Sequence, residues 1–159
     1  MFNIGDKVVY PMHGAGIIEA IEEREVLGAR QKYYVMRLPV GDMKVMIPVE
    51  QVHSTGLRQV ITKEEVATVL QILREGEAKL PNNWNHRYRA NLEKMKSGSI
   101  YEVAEVVRSL SLRDREKGLS SGEKKMLDNA RQILVSEIAL TTNTEEQAVN
   151  EILNRALLG

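Results

Sequence analysis

The run Val60-Ile61-Thr62-Lys63-Glu64-Glu65-Val66-Ala67-Thr68-Val69-Leu70-Gln71-Ile72-Leu73 decides the fold, because the period of the apolar residues changes inside it. Val66, Val69, Leu70 and Leu73 recur at helical spacing. Thr62 and Glu65 form a capping-box pattern, in which the hydroxyl accepts from the N3 amide and the carboxylate reaches back to the cap. Everything upstream reads as short strands punctuated by glycine and proline. Lys7–Tyr10 ends at Pro11, Gly16–Glu22 alternates in part, and Lys32–Leu38 stops at Pro39. A Gly41-Asp42 turn then leads into Lys44–Ile47 and Pro48. With about five such strands, closing into an SH3-like or Tudor-like barrel is the economical way to limit exposed edges.

Downstream the pattern stays helical. Capping-box spacing returns at Ser99…Glu102, Ser120…Glu123 and Thr144…Gln147, and a further helix opens near Asn83 and stops at Gly98. Gly118 ends the next helix in the same way. The stripes Val103, Val106, Val107, Leu110 and Met126, Ala130, Ile133, Leu134, Ile138 supply buried faces. The expectation is an α+β chain of two domains. A small SH3/Tudor-like β-barrel spans residues 1–58, and an all-α bundle of five helices spans residues 62–159.

At 159 residues the chain suits one medium domain or two small ones. It has no cysteine, which excludes disulfides, thiolate metal sites and a cysteine nucleophile. The start, Met-Phe-Asn-Ile-Gly-Asp-Lys, reaches charge at once, and no apolar run approaches the length of a membrane span. A soluble cytoplasmic protein is expected. The formal net charge is zero, but it is unevenly spread: residues 79–131 carry twelve Lys/Arg against seven Asp/Glu, and residues 132–159 one against four. That supports a modest basic face, too weak to clamp DNA without help from a second component.

The single tryptophan, Trp84, stands at the expected start of a helix in Pro81-Asn-Asn-Trp-Asn-His-Arg-Tyr-Arg89. A large ring anchoring a small core is one reading, and composition alone favours it. The other is a ring set among cations and wedged against a disrupted base step, with phosphate contacts supplying the attraction.

No catalytic constellation emerges. The three histidines, His13, His53 and His86, lie far apart and none has a second ligand at metal-binding spacing. Gly14-Ala15-Gly16 lacks the third glycine and the helix of a dinucleotide loop. Ser121-Gly122-Glu123-Lys124-Lys125 lacks the spaced first glycine of a phosphate loop, although lysines at a helix start suit a DNA phosphate. Neither an enzyme, a cofactor nor a metal is expected. Arg24 lies near the end of one strand, and Lys44 and Met46 on one face of another; if those strands are neighbours, their edge and outer face could accept an acidic partner or an added strand. Ordinary solvated charge is the simpler reading of those residues.

Several segments carry a resemblance. Gly5-Asp-Lys-Val-Val-Tyr-Pro-Met-His-Gly-Ala-Gly16, Asn83-Trp-Asn-His-Arg-Tyr-Arg-Ala-Asn-Leu-Glu-Lys-Met-Lys-Ser-Gly98, Val103–Arg108, Arg113–Leu127 and Ala130–Leu134 resemble the CarD family of bacterial transcription regulators, also called CdnL. The first segment also resembles the polymerase-interacting domain of the transcription-repair coupling factor. The resemblance implies a barrel that binds the RNA polymerase β subunit, with Arg24, Val26, Lys44 and Met46 as the polymerase-binding residues. It implies a helical domain that meets promoter DNA in the minor groove at the upstream edge of the melted bubble. Trp84 is then the wedge that slows bubble collapse, and His86, Arg87, Arg89 and Lys124 are contacts to the DNA backbone. Two positions depart from the pattern: many relatives have Arg where this chain has Met46, and some have Arg where it has His86. A monomer at the nucleoid, needing no membrane, completes the expectation. The alternative is an adaptor of the transcription machinery whose helical bundle binds another polypeptide and never touches DNA.

Overall fold

Our computed structural model describes residues 1–39, 42–76 and 83–158. Its first part is an antiparallel sheet of β1 (Lys7–Tyr10), β2 (Gly14–Val26), β3 (Ala29–Leu38), β4 (Met43–Pro48) and β5 (Arg58–Gln59), in the order β4-β3-β2-β1-β5. The sheet is open, and the expected closed barrel is not formed: β4 and β5 are its two edges. The edge β5 is only two residues long, so it offers little to pair with. The curved inner face is covered instead by Phe2, Val49 and Val52, which pack on Val8, Ile18, Tyr34, Met36, Ile47 and Leu57. Val49–Gln51 forms a 3₁₀ turn that runs into the single-turn helix α1 (Val52–Thr55).

Strands β2 and β3 run longer than expected because Leu27 and Gly28 close them into a tight hairpin. Both have positive φ, 53° and 80°, as a type I′ turn requires. Leucine carries none of the Asn-Gly chemistry that marks such a turn in a sequence. The expected turn at Gly41-Asp42 includes Gly41, which lies outside the described residues.

Six α-helices occur among the described residues: five in the part expected to be helical, and the single-turn α1 before it. After α1 come α2 (Lys63–Glu75), α3 (Trp84–Lys96), α4 (Ile100–Glu116), α5 (Ser121–Thr142) and α6 (Glu146–Leu157). The Thr62 box forms in full, with both the side chain and the Glu65 carboxylate engaged. Ser120 caps α5 by accepting from the Glu123 amide. Two expected caps fail. Ser99 precedes α4 without a side-chain bond, and α6 is preceded by Glu145 rather than Thr144. Thr144 is already committed: its N–H donates to the Ala139 carbonyl at 3.0 Å while Asn143 turns left-handed, so both residues close the end of α5.

Helix α4 runs through the helical core, with Val103, Ala104, Val106, Val107 and Leu110 buried, and packs against α2, α3 and α5. Helix α5 also packs on the sheet. The Ala15 amide donates to Ser136 Oγ at 3.0 Å, and Gly14, at φ 108°, leaves room there: a Cβ on it would stand 3.0 Å from the same oxygen. Arg58 forks onto Glu137 with two 2.7 Å bonds, and the Ile61 amide donates to that carboxylate at 2.8 Å. Lys7 Nζ donates to the Leu140 carbonyl at 2.8 Å. These bonds fix the start of α2 and the flank of the sheet to one helix.

Candidate functional site

Asn83 begins the site. Its side-chain oxygen accepts from the amides of Asn85 and His86, which caps α3 and sets Trp84 as the first helical residue. The indole is 42% exposed and therefore outside the helical core. It is nevertheless fixed. Tyr88, one turn later, stacks on it with ring centroids 5.0 Å apart and planes 16° from parallel. The indole Nε1–H donates to Ser120 Oγ at 3.0 Å. Gly122 lies close to the edges of both rings, since a Cβ there would be 3.7 Å from Tyr88 and 3.8 Å from Trp84.

The Ser120 hydroxyl is fully used. It accepts from Trp84 and from the Glu123 amide (3.2 Å), and donates to Glu123 Oε1 (3.2 Å). Glu123 in turn receives Arg87 Nε at 2.7 Å and Nη2 at 3.1 Å. Arg87 is 3% exposed and Glu123 1%. The guanidinium holds the Glu123 carboxyl below its usual range against the opposing effect of burial, and the carboxylate raises Arg87 in return. This corrects the expectation for Arg87. Its charge is enclosed between α3 and α5 and spent on a carboxylate, so it is not presented to a phosphate. Arg87 lies three residues after Trp84, on the side of α3 that turns towards α5.

The other residues expected to meet the DNA backbone do face solvent. His86 and Arg89 are exposed on α3, and Lys124 is exposed in the first turn of α5, the turn whose cap holds the indole. Lys125 is exposed beside it and borders a cleft of about 290 Å³ lined by Met12, Tyr88, Leu92, Met95 and Met126. Sequence reading passed over Tyr88 and Ser120 as partners of the indole. The i, i+4 spacing of two aromatics was the available sign for Tyr88. Nothing local in the chain marks Ser120, 36 residues further on.

On the sheet, register places Arg24, Val26, Lys44 and Met46 on one face. Arg24 is opposite Gln31, Val26 opposite Ala29, Met46 opposite Val35 and Lys44 opposite Arg37, all of one parity along the pleat. Strands β2 and β4 are not neighbours, however, because β3 runs between them. Nor are the two cations idle. Arg24 pairs with Glu22 at 3.1 Å, and Lys44 with Glu19 at 3.2 Å. Arg37 and Lys44 together hold the Glu19 carboxyl below its usual range. Val26 and Met46 add exposed apolar surface, at 46% and 36%.

Among the described residues no group of three His, Asp or Glu is placed to hold a metal ion, and no helix is long and apolar enough to cross a membrane. His13 packs its ring against Tyr10, with centroids 4.5 Å apart.

The stacked, half-exposed indole thus lies on helices that also expose Arg89 and Lys124, and α5 packs those helices on a sheet whose outer face mixes charge with apolar surface. The chain belongs to the CarD family of transcription regulators, which is not a family of enzymes. Residues 68–154 match the CarD C-terminal domain, and residues 2–61 match the CarD-like/TRCF RID domain. It is 46% identical over 149 residues to YdeB of Bacillus subtilis (strain 168), a transcription factor by provisional assignment, covering 94% of this chain and 97% of that protein. It is also similar to the solution structure of the 72-residue N-terminal domain of Myxococcus xanthus CarD, at 34% identity and a TM-score of 0.33, over 37% of this chain and 79% of that one. A second similar structure, CdnLNt from the same organism, has 46% identity and a TM-score of 0.35, over 40% of this chain and 89% of that one.

Proposed function

We propose that this regulator docks on the RNA polymerase β subunit through the sheet face of Arg24, Val26, Lys44 and Met46. From there Trp84 is set against the minor groove at the upstream edge of a melted promoter and slows its closure. Residues 1–58 are then the polymerase-interacting unit and residues 62–159 the DNA-contacting one. The observation that carries the reading is an indole left 42% exposed although a neighbouring ring and a hydrogen bond fix it in place. An ordered aromatic surface in water, on helices that also expose His86 and the cations Arg89 and Lys124, suits a flat ligand with a phosphate backbone.

Charge explains why a tether is needed. A chain of zero net charge releases too few counterions to hold DNA firmly. Docking on polymerase raises the local concentration of the helical part, into the mM range for a short connection. A ring that contributes about 1–3 kcal/mol by stacking then shifts the open state roughly 5- to 150-fold. One copy per promoter is enough, which favours a monomer located with polymerase at the nucleoid. Stacking has little base specificity, so a distorted or unstacked fork is preferred over a defined sequence.

The methionine-lined cleft beside Tyr88 favours a second reading, in which the helical part takes an apolar polypeptide and not DNA. Trp84 is the only tryptophan of this chain, so 7-azatryptophan incorporated in its place, excited apart from the tryptophans of polymerase, decides between the two. Titration with forked, AT-rich promoter DNA in the presence of polymerase shifts or quenches the emission on the first reading. An unchanged spectrum favours the adaptor.

A further inference from the structure

We propose that Trp84 and Tyr88 act as one preassembled platform with a single working face. The platform takes the exposed end of a base stack and does not enter between two stacked bases. This rests on the reading of Trp84 as a DNA contact and specifies what the ring binds.

An intercalating ring must offer both of its faces, because a base lies on each side. Trp84 has at most one to give. Its other face is covered by Tyr88 at 5.0 Å and 16°, an offset stack. Rotating the indole away from Tyr88 also breaks the Nε1–H bond to Ser120 and leaves that hydroxyl short of one donor. Ser120 itself cannot follow, because it caps α5 and is bonded to Glu123. Glu123 is held by a buried Arg87. The ring is thus braced from the buried ion pair outwards. A braced ring with one free face matches a base whose neighbour has been lost, as at the junction of duplex and single strand. A continuous duplex offers no such surface. Tyr88 and Ser120 are the positioning residues.

Full-length protein, RNA polymerase holoenzyme and a promoter fragment test this. With the wild-type chain, a 2-aminopurine placed at the last paired position of a fork changes its emission on binding, while the same probe at an internal step of the duplex does not. An equal response at both positions overturns the single-faced platform. Four variants supply a second arm. Tyr88→Leu and Ser120→Ala each shorten the open-complex lifetime about fivefold, the worth of one ring pair or one hydrogen bond. They also add a fast nanosecond component to the anisotropy decay of Trp84. Tyr88→Phe and Ser120→Thr keep the ring and the hydroxyl, and restore both readouts. If Trp84→Ala shortens the lifetime while Tyr88→Leu and Ser120→Ala leave it unchanged, the ring acts without its platform and the inference is wrong, although the DNA contact survives. If Trp84→Ala itself has no effect, both fall.

Discussion

Arg87 and Glu123 form an ion pair enclosed between α3 and α5, with Nε 2.7 Å from Oε2 and side chains 3% and 2% exposed. An ion pair this deep does little to stabilise a fold relative to apolar residues, but losing one partner strands the other charge. Arg87→Ala is therefore expected to cost about 3–5 kcal/mol in urea unfolding. It should leave the salt dependence of DNA binding unchanged, because its charge is not shown to phosphate. A shallower salt slope in a variant of normal stability would return Arg87 to the DNA contacts.

The same pair sets an acid limit. Arg87 lowers the Glu123 carboxyl below its ordinary value in the folded chain. In the unfolded chain that carboxyl protonates at its ordinary value. Below that pH the unfolded state binds the extra proton first, so stability falls as acid is added, until the lower folded value is passed. Above the ordinary value the contribution is fully present. Glu123→Gln is expected to flatten this part of the stability profile and to lower stability at neutral pH. An unaltered acid slope, read by thermal unfolding across the carboxylate range, would assign the effect to other groups.

Arg58 and Glu137 make the corresponding link between sheet and helices. Glu137 is 0% exposed and Arg58 29%, so removing the arginine leaves a buried carboxylate with the Ile61 amide. Arg58→Ala is expected to cost about 2–4 kcal/mol, towards the low end for such a loss because water reaches this edge. It should also blunt the effect on open complexes while capture of the β subunit persists. Loss of both together would mean that the sheet itself had come apart.

On the proposed docking face, Arg24 and Met46 should respond in opposite directions. Arg24→Glu reverses a charge on an exposed strand and is expected to weaken capture of an isolated β-subunit fragment without unfolding the chain. Met46→Arg adds a cation to the same face and is expected to strengthen it. Calorimetric titration of both variants checks the pair, and two unchanged affinities would move the interface to another part of the sheet.

What the sequence disclosed followed how local each signal was. Thr62, Glu65 and the stripe from Val66 to Leu73 lie within a few turns of one another, and the helix formed as they indicate. Gly98 and Gly118 both take the left-handed turn that ends a helix, at φ 77° each. Signals that need a distant partner were lost. Arg87 looks like a DNA contact until Glu123 is brought beside it, and Thr144 looks like a cap until Ala139 claims its amide. The Leu27-Gly28 hairpin was missed because leucine rarely takes a positive φ. Barrel closure was inferred from the number of strands, and a covering layer from Phe2, Val49 and Val52 made it unnecessary.

The central claim is that a fixed, half-exposed indole slows the closing of promoter DNA on a polymerase-bound regulator. Open-complex lifetime, measured after a competitor challenge with saturating wild-type or Trp84→Ala protein, tests it most directly. Truncating the half-exposed ring removes one ring pair and one hydrogen bond, about 2 kcal/mol together, so the variant remains folded and bound. The account predicts a lifetime at least fivefold shorter with Trp84→Ala than with the wild type. Equal lifetimes, with polymerase binding intact in both, would contradict it.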